Sequence, residues 1–213
     1  MEITTKIRSF RVDKQKIMGL SFHYKGKLKK PQSLKKLIEE VTDICIANKW
    51  KFTILDEDFP NDTFTTEPNK NKAYGICFTP PKCETTYLTF LSNGKLCALY
   101  NLELNKKLEK LEDDIYLYYL SVKTQYCGPE IHKMLISIFD YLNKKYLEDF
   151  ELTDEGQFWE TRDEKLLEEI FNRYSHLINS LGSALEYIPI LEGESIENYN
   201  LRMAEIVKRN NHE

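Results

Sequence analysis

Four side chains able to do acid–base or metal chemistry sit at the ends of short apolar runs. His23 lies in Ser21-Phe22-His23-Tyr24. Asp56 and Asp58 follow Phe52-Thr-Ile-Leu55, and Asp154 follows Phe150-Glu-Leu-Thr153. An imidazole titrates near neutral pH and can act as a general base or a metal ligand. Carboxylates are the hard oxygen ligands that Mg²⁺ or Mn²⁺ takes. His23, Asp56 and Asp154 are therefore the catalytic candidates, and the chemistry they would serve is that of a divalent-metal-dependent enzyme. The competing account is structural. His23 then sits on the half-buried face of a strand, and Asp-Glu after a strand is surface punctuation.

The other histidines offer less. His132 follows Gly128-Pro-Glu-Ile131, two positions after Glu130, so the two do not share a helix face and do not form the HExxH pattern of zinc proteases. His132 reads as a solvated or boundary histidine. His176 flanks an apolar stripe and His212 lies in the tail. No Walker A loop, GxGxxG or GxSxG occurs, so no cofactor is expected. The five cysteines, Cys45, Cys77, Cys83, Cys97 and Cys127, are odd in number, widely spaced and without a CxxC. That is the pattern of free thiols in a reducing compartment, with no zinc spacing. Cys45, Cys77 and Cys97 lie in apolar segments and read as core. Cys83 follows Pro80-Pro81-Lys82 in a turn.

Two segments share one grammar. Tyr24-Lys-Gly26, a helix, and Phe52 to Asp56-Glu57 are echoed by Tyr126-Cys-Gly128, a helix, and Phe150 to Asp154-Glu155. Phe to Asp is four residues in both, and Gly to Asp is 30 in the first (26 to 56) and 26 in the second (128 to 154). If the strands flanking each helix are parallel, both units are right-handed crossovers and both strand pairs finish on one sheet edge. Ligands of open α/β sheets bind at such an edge. The binding candidates are therefore Tyr24, Glu57, Gln125, Tyr126 and Glu155. Trp159 joins them, in the polar-aromatic stretch Gln157-Phe-Trp-Glu-Thr161, which reads either as a recognition loop or as a lid packed on the core.

The elements that must position these residues follow from periodicity. Ile17 to Tyr24 reads as a strand. A helix over 33–48 carries Leu34, Leu37, Ile38, Val41 and Cys45 at helical spacing. Strands follow at 52–55, 74–78, 85–91 and 95–102, the last two joined at Asn93-Gly94, a strong hairpin signal. Residues 115–124 read as another strand and 129–146 as a second helix, with Ile131, Met134, Leu135, Ile138 and Leu142 on its buried face. A short strand at 150–153 comes next. Thr161-Arg-Asp-Glu164 is a capping box opening a long helix. A last helix covers about 195–209.

The whole implies an α/β (α+β) fold. It has a mixed sheet of about six to eight strands with a central antiparallel hairpin, two β-α-β units and a C-terminal helical segment. Residues 1–190 are expected to form one domain with the pseudo-repeat at 17–58 and 115–156, and 191–213 a helical appendage. Composition suits a packed core: 41% hydrophobic and 12% aromatic residues. The 34 acidic and 30 basic residues leave a net charge of −4, which argues against a general nucleic-acid binder. No apolar run reaches membrane-span length and the first sixteen residues lack a signal-peptide core, so a cytoplasmic location is expected.

The stretch Val122-Lys-Thr-Gln-Tyr-Cys-Gly-Pro-Glu-Ile-His132, with Asp154-Glu155-Gly156 and Trp159-Glu160-Thr161, resembles bacterial proteins of no assigned function. Ser21-Phe22-His23-Tyr24 and Gly26 are similar to their N-terminal part. The resemblance implies a bacterial cytoplasmic protein and carries no catalytic residue across. With no assembled catalytic constellation, the expected function is a soluble, non-enzymatic binding protein, with a toxin-neutralising immunity protein as its specific form. Its expected partner is another protein, neither nucleic acid nor membrane, and homodimerisation through the C-terminal helices is the candidate assembly. The metal-dependent enzyme is the alternative.

Overall fold

The computed structural model describes residues 19–100, 102 and 117–210. The polar N-terminal arm, the charged run 106–114 and His212 lie outside them. Among the described residues, the elements run in the order β1 (Ser21–Leu28), α1 (Ser33–Ala47), β2 (Lys51–Ile54), β3 (Tyr74–Thr79), β4 (Thr86–Phe90), β5 (Leu120–Lys123), α2 (Gly128–Tyr146), β6 (Leu147–Asp154), α3 (Phe158–Thr161), α4 (Glu164–Tyr187) and α5 (Ile196–Asn210). None of the described helices is long and apolar enough to cross a membrane.

The mixed α/β class is as expected, but the strands form two three-stranded antiparallel sheets rather than one mixed sheet. Their orders are β5-β1-β6 and β2-β3-β4. The sequence cannot set this, because a strand's partner is chosen by packing and not by the strand's own composition. β1 and β2, expected as parallel neighbours, lie in different sheets. β5 and β6 each run antiparallel to β1, which sits between them. They are therefore parallel to one another without pairing, and only this second unit has its flanking strands in one sheet and parallel.

The sheets meet at one corner. After β4 the chain turns through Asn93-Gly94, where the Leu91 amide donates to the Lys95 carbonyl at 3.0 Å. The returning residues do not form the expected strand at 95–102. Lys95 and Leu96 make single bridges to Lys27 and Phe90, and Leu99 and Tyr100 are helical. The Leu28 amide donates to the Gly94 carbonyl at 2.8 Å and the Leu96 amide to the Gly26 carbonyl at 2.9 Å. β1 thus runs past Gly26 rather than ending there. The register slips between Lys25 and Lys27, a bulge, and a Cβ on Gly26 would stand 3.0 Å from Phe150 Cδ2. Gly26 is there for close approach and not for a turn.

Alternation along β1 sends Phe22 and Tyr24 to the core and His23 and Lys25 to the other face. Lys25–Glu151 and Lys27–Glu148 pair across strands at 2.9 and 3.1 Å. α1 buries the five residues its spacing indicated and packs on the β2-β3-β4 sheet. α2 packs beneath β6, with Phe139 against Tyr24 (ring centroids 4.5 Å) and Phe22 (5.5 Å). Its buried face is His132, Leu135, Ile136, Ile138, Phe139, Leu142 and Tyr146. The expected face was rotated: Met134 is an exposed side chain and Ile131 only half-buried. The large aromatic side chains of Phe139 and Tyr146 are both on the side that turns inward. The two helices lie side by side, joined where Tyr141 donates to Glu40 at 2.8 Å and Lys145 pairs with the same carboxylate.

Candidate functional site

The end of β6 and the first turn of α2 converge on a buried polar centre. Phe22 pairs with Asp154 across β1 and β6, so the Asp154 side chain shares Phe22's inward face. There it meets His132, one turn into α2. Nε2 of His132 lies 3.1 Å from Asp154 Oδ2, and Nδ1 lies 2.8 Å from Thr124 Oγ1. Phe22 and Phe171 wall the imidazole edge-on at 5.9 and 5.6 Å. Thr124 and His132 are fully buried, and Asp154 is 5% exposed.

Asp154 is also the hub of the turn that follows it. Its Oδ1 accepts the Gly156 amide at 2.7 Å, and Oδ2 accepts those of Phe158 (2.8 Å) and Trp159 (3.1 Å). Burial raises the Asp154 pKa. The His132 hydrogen bond and charge oppose this, as do the Trp159 and Gly156 amides, and the net result is a carboxyl below its ordinary value. Gly156 is required by the crowding: a Cβ there would lie 2.8 Å from Leu167 Cδ1 and 3.0 Å from His132 Nε2.

The connectivity carboxylate–imidazole–hydroxyl is that of a hydrolase relay, but here the hydroxyl is fully buried. Nε2–H donates to Asp154 Oδ2, and Nδ1 and Thr124 Oγ1 share a hydrogen bond. Thr124 Oγ1 donates to the Leu20 carbonyl at 3.4 Å, which also accepts the Thr124 amide at 2.8 Å. Gln125 closes the group, its Oε1 accepting the Leu20 amide at 3.0 Å. The arrangement ties the start of β1, the end of β5, the first turn of α2 and the β6–α3 turn into one knot.

On the opposite face of β1, His23 stacks on Tyr119 (5.3 Å, 14° between planes). Its Nε2 is 4.0 Å from Glu155 Oε1, and its buried Nδ1 has no hydrogen-bond partner. Glu155 spends its other oxygen on the Ser21 amide at 2.8 Å.

The candidates therefore separate. His23 has Glu155 as its carboxylate neighbour, while Asp154 faces the other side of the sheet with both oxygens occupied. Asp56 is exposed beside the β2-β3-β4 sheet and pairs with Lys72 at 3.2 Å. Glu57 and Asp58 are exposed on the loop beyond it. Tyr24 is core: its hydroxyl donates to the Tyr87 carbonyl at 2.8 Å and accepts the Tyr87 amide at 3.1 Å. Tyr126 is exposed, with the Lys123 ammonium 5.6 Å from its ring centroid. Trp159 is half-buried in α3, edge-on to Phe150 at 6.0 Å, with the Arg162 guanidinium 4.9 Å from its ring. Among the described residues no group of three or more His, Cys, Asp or Glu is arranged to hold a metal ion.

His132 is the main correction: it is buried and paired rather than solvated. Its phase was the available signal, since 132, 135, 136, 139, 142 and 146 fall on one helical face. Thr124 carried no signal at all. Set against known proteins, the chain matches no family model, no curated protein and no solved structure.

Proposed function

We propose that this chain is a non-catalytic binding protein that docks another protein on its C-terminal helices. One observation carries the reading. Between residues 177 and 201, Leu177, Ile190, Leu191, Ile196 and Leu201 are 56% to 73% exposed. Scattered exposed aliphatics are ordinary, but a concentration of them marks interaction surfaces.

The turn between α4 and α5 is organised in advance. Arg202 donates to both Glu194 oxygens, at 2.8 and 2.6 Å, and to the Pro189 carbonyl at 2.9 Å. The Arg202 hydrogen bonds pull the Glu194 carboxyl down to about 2, helped by the Leu191 amide. A turn fixed before binding loses less entropy on binding. The segment 186–201 carries Glu186, Glu192, Glu194 and Glu197 and no lysine or arginine. Its complement is an apolar cleft with a basic rim. Neutralising a basic toxin, as an immunity protein does, is the specific form of this reading.

The test is affinity purification of the tagged full chain from the cells that make it, in wild-type and Leu191→Glu/Ile196→Glu forms, with light scattering on the purified protein. A stoichiometric heterologous partner held by the wild type and released by the variant is expected. A partner held equally by both would overturn the assignment of the surface. A dimer in the purified protein that the variant abolishes would assign it to self-association instead.

A further inference from the structure

The chain's cysteines are 45, 77, 83, 97 and 127, and two of them meet. Cys83 lies in the β3–β4 connection, and Cys127 is the N-cap of α2. Their sulfurs rest on consecutive carbonyls of one turn: Cys83 Sγ is 3.6 Å from the Lys123 oxygen and Cys127 Sγ 3.1 Å from the Thr124 oxygen. The two thiols also act on each other's acidity, Cys127 raising Cys83 and Cys83 lowering Cys127. Both residues are half-buried, whereas Cys45 and Cys97 are sealed in the core. The connection is fixed on the turn from both sides. The Glu84 amide donates to the Lys123 carbonyl at 3.3 Å, and the Lys123 amide donates to the Glu84 carboxylate at 2.8 Å.

The geometry points to Cys83 and Cys127 as a redox-active dithiol that closes to a disulfide between the β3–β4 connection and the first turn of α2. Hydrogen peroxide is the oxidant class. The Cys127 thiolate attacks one peroxide oxygen, breaking the O–O bond to give a sulfenic acid and, after protonation of the leaving hydroxide, one water. The Cys83 sulfur then attacks the sulfenic sulfur. The S–S bond forms, the S–O bond breaks, and the Cys83 proton leaves with the hydroxyl as a second water. Two thiols lose two electrons and one peroxide gains them. The order of attack follows from the environment: the Cys83 hydrogen bond favours the Cys127 thiolate, as does its own backbone amide, and their effect exceeds that of burial. The same contact keeps Cys83 protonated until its turn comes, with burial acting in the same direction.

The covalent tie joins an element of one sheet to the helix packed on the other. It closes a chain loop from 83 to 127, and it should stabilise the folded state by restricting the unfolded one. The experiment treats the full chain with equimolar hydrogen peroxide and counts thiols under denaturing conditions. Peptide mapping and a thermal scan follow. Five thiols are expected to fall to three. The tryptic peptides containing Cys83 and Cys127 should be linked and lighter by two hydrogens. Tm should rise by about 5 °C and return on adding dithiothreitol. Cys83→Ser should abolish the cross-link and leave Cys127 as a sulfenic acid trapped by dimedone, an outcome that does not depend on Tm. Five titratable thiols after treatment, or a cross-link mapping to another pair or between chains, would overturn the proposal.

Discussion

Asp154 illustrates how a carboxylate can look catalytic in a sequence and be structural in the fold. It accepts three backbone amides and one imidazole N–H in a buried site, and removing it leaves four donors without an acceptor. Asp154→Ala is expected to lower stability by about 3–5 kcal/mol, the range for breaking a buried charge-assisted network, read by urea unfolding at neutral pH. The pH dependence has a definite sign. A carboxyl whose folded pKa lies below its unfolded value stabilises fully above the ordinary carboxylate range, and the contribution is lost as pH falls through the folded pKa. Unfolding midpoints measured from pH 7 down to pH 2 should therefore drop across the acid range in the wild type, and less steeply in Asp154→Asn. Gly156→Ala places a methyl 2.8 Å from Leu167 and 3.0 Å from His132. It should cost about 1–3 kcal/mol by overpacking, with an upfield or downfield shift of the His132 ring protons as its local NMR signature.

At the scale of elements, α2 shows how far periodicity reads and where it stops. The helix was legible because apolar residues recur at three and four positions from Ile131 to Leu142. Its orientation was not, since Ile131 and Met134 compete with His132, Ile136 and Phe139 for the inward side. The large aromatic side chains of Phe139 and Tyr146 both lie on the side that turns inward. Phe139→Ala should cost about 3–5 kcal/mol, and Met134→Lys should stay within about 0.5 kcal/mol of wild type. Equal costs would return the helix to the other phase. The start of α4 behaves similarly. A capping box was legible at Thr161 to Glu164, but Arg162 adopts a left-handed conformation and the cap moves two residues on. Asp163 Oδ1 accepts the Lys165 amide at 2.9 Å and the Leu166 amide at 3.1 Å. Asp163→Ala should therefore lose about 1 kcal/mol, with a smaller loss for Thr161→Ala.

For the whole molecule, one half of the joint between the two sheets is a single hydroxyl. The Tyr24 oxygen stands where a neighbouring strand would, donating to the carbonyl and accepting from the amide of Tyr87 on the free edge of β4. Tyr24→Phe keeps the buried ring, leaves both Tyr87 groups unpaired, and should cost about 1–3 kcal/mol. Hydrogen exchange at the Tyr87 amide should rise in the variant, while the amides between β2 and β3 stay protected. If the Tyr87 amide is unchanged, the corner at Gly94 holds the sheets by itself. That corner, with the Leu28 and Leu96 amides bonded across it, is the other half of the joint.

Local order was written into the chain: α1 with its five inward residues, the Asn93-Gly94 turn, the aromatic and β-branched strands, and the polar breaks between them all follow from spacing a few residues long. Partner choice was not. Nothing in β1 specifies β5 and β6 over β2, because strand pairing minimises exposed apolar area over the whole chain and is indifferent to sequence distance. For the same reason His132, Asp154 and Thr124 could be seen only as three unrelated polar residues, and Cys83 and Cys127 only as two of an odd five. Their chemistry depends on separations of 8 and 22 positions (124 to 132 and 132 to 154) being reduced to hydrogen-bond range, and of 44 positions (83 to 127) being reduced to two sulfurs on neighbouring carbonyls, and only tertiary packing does that.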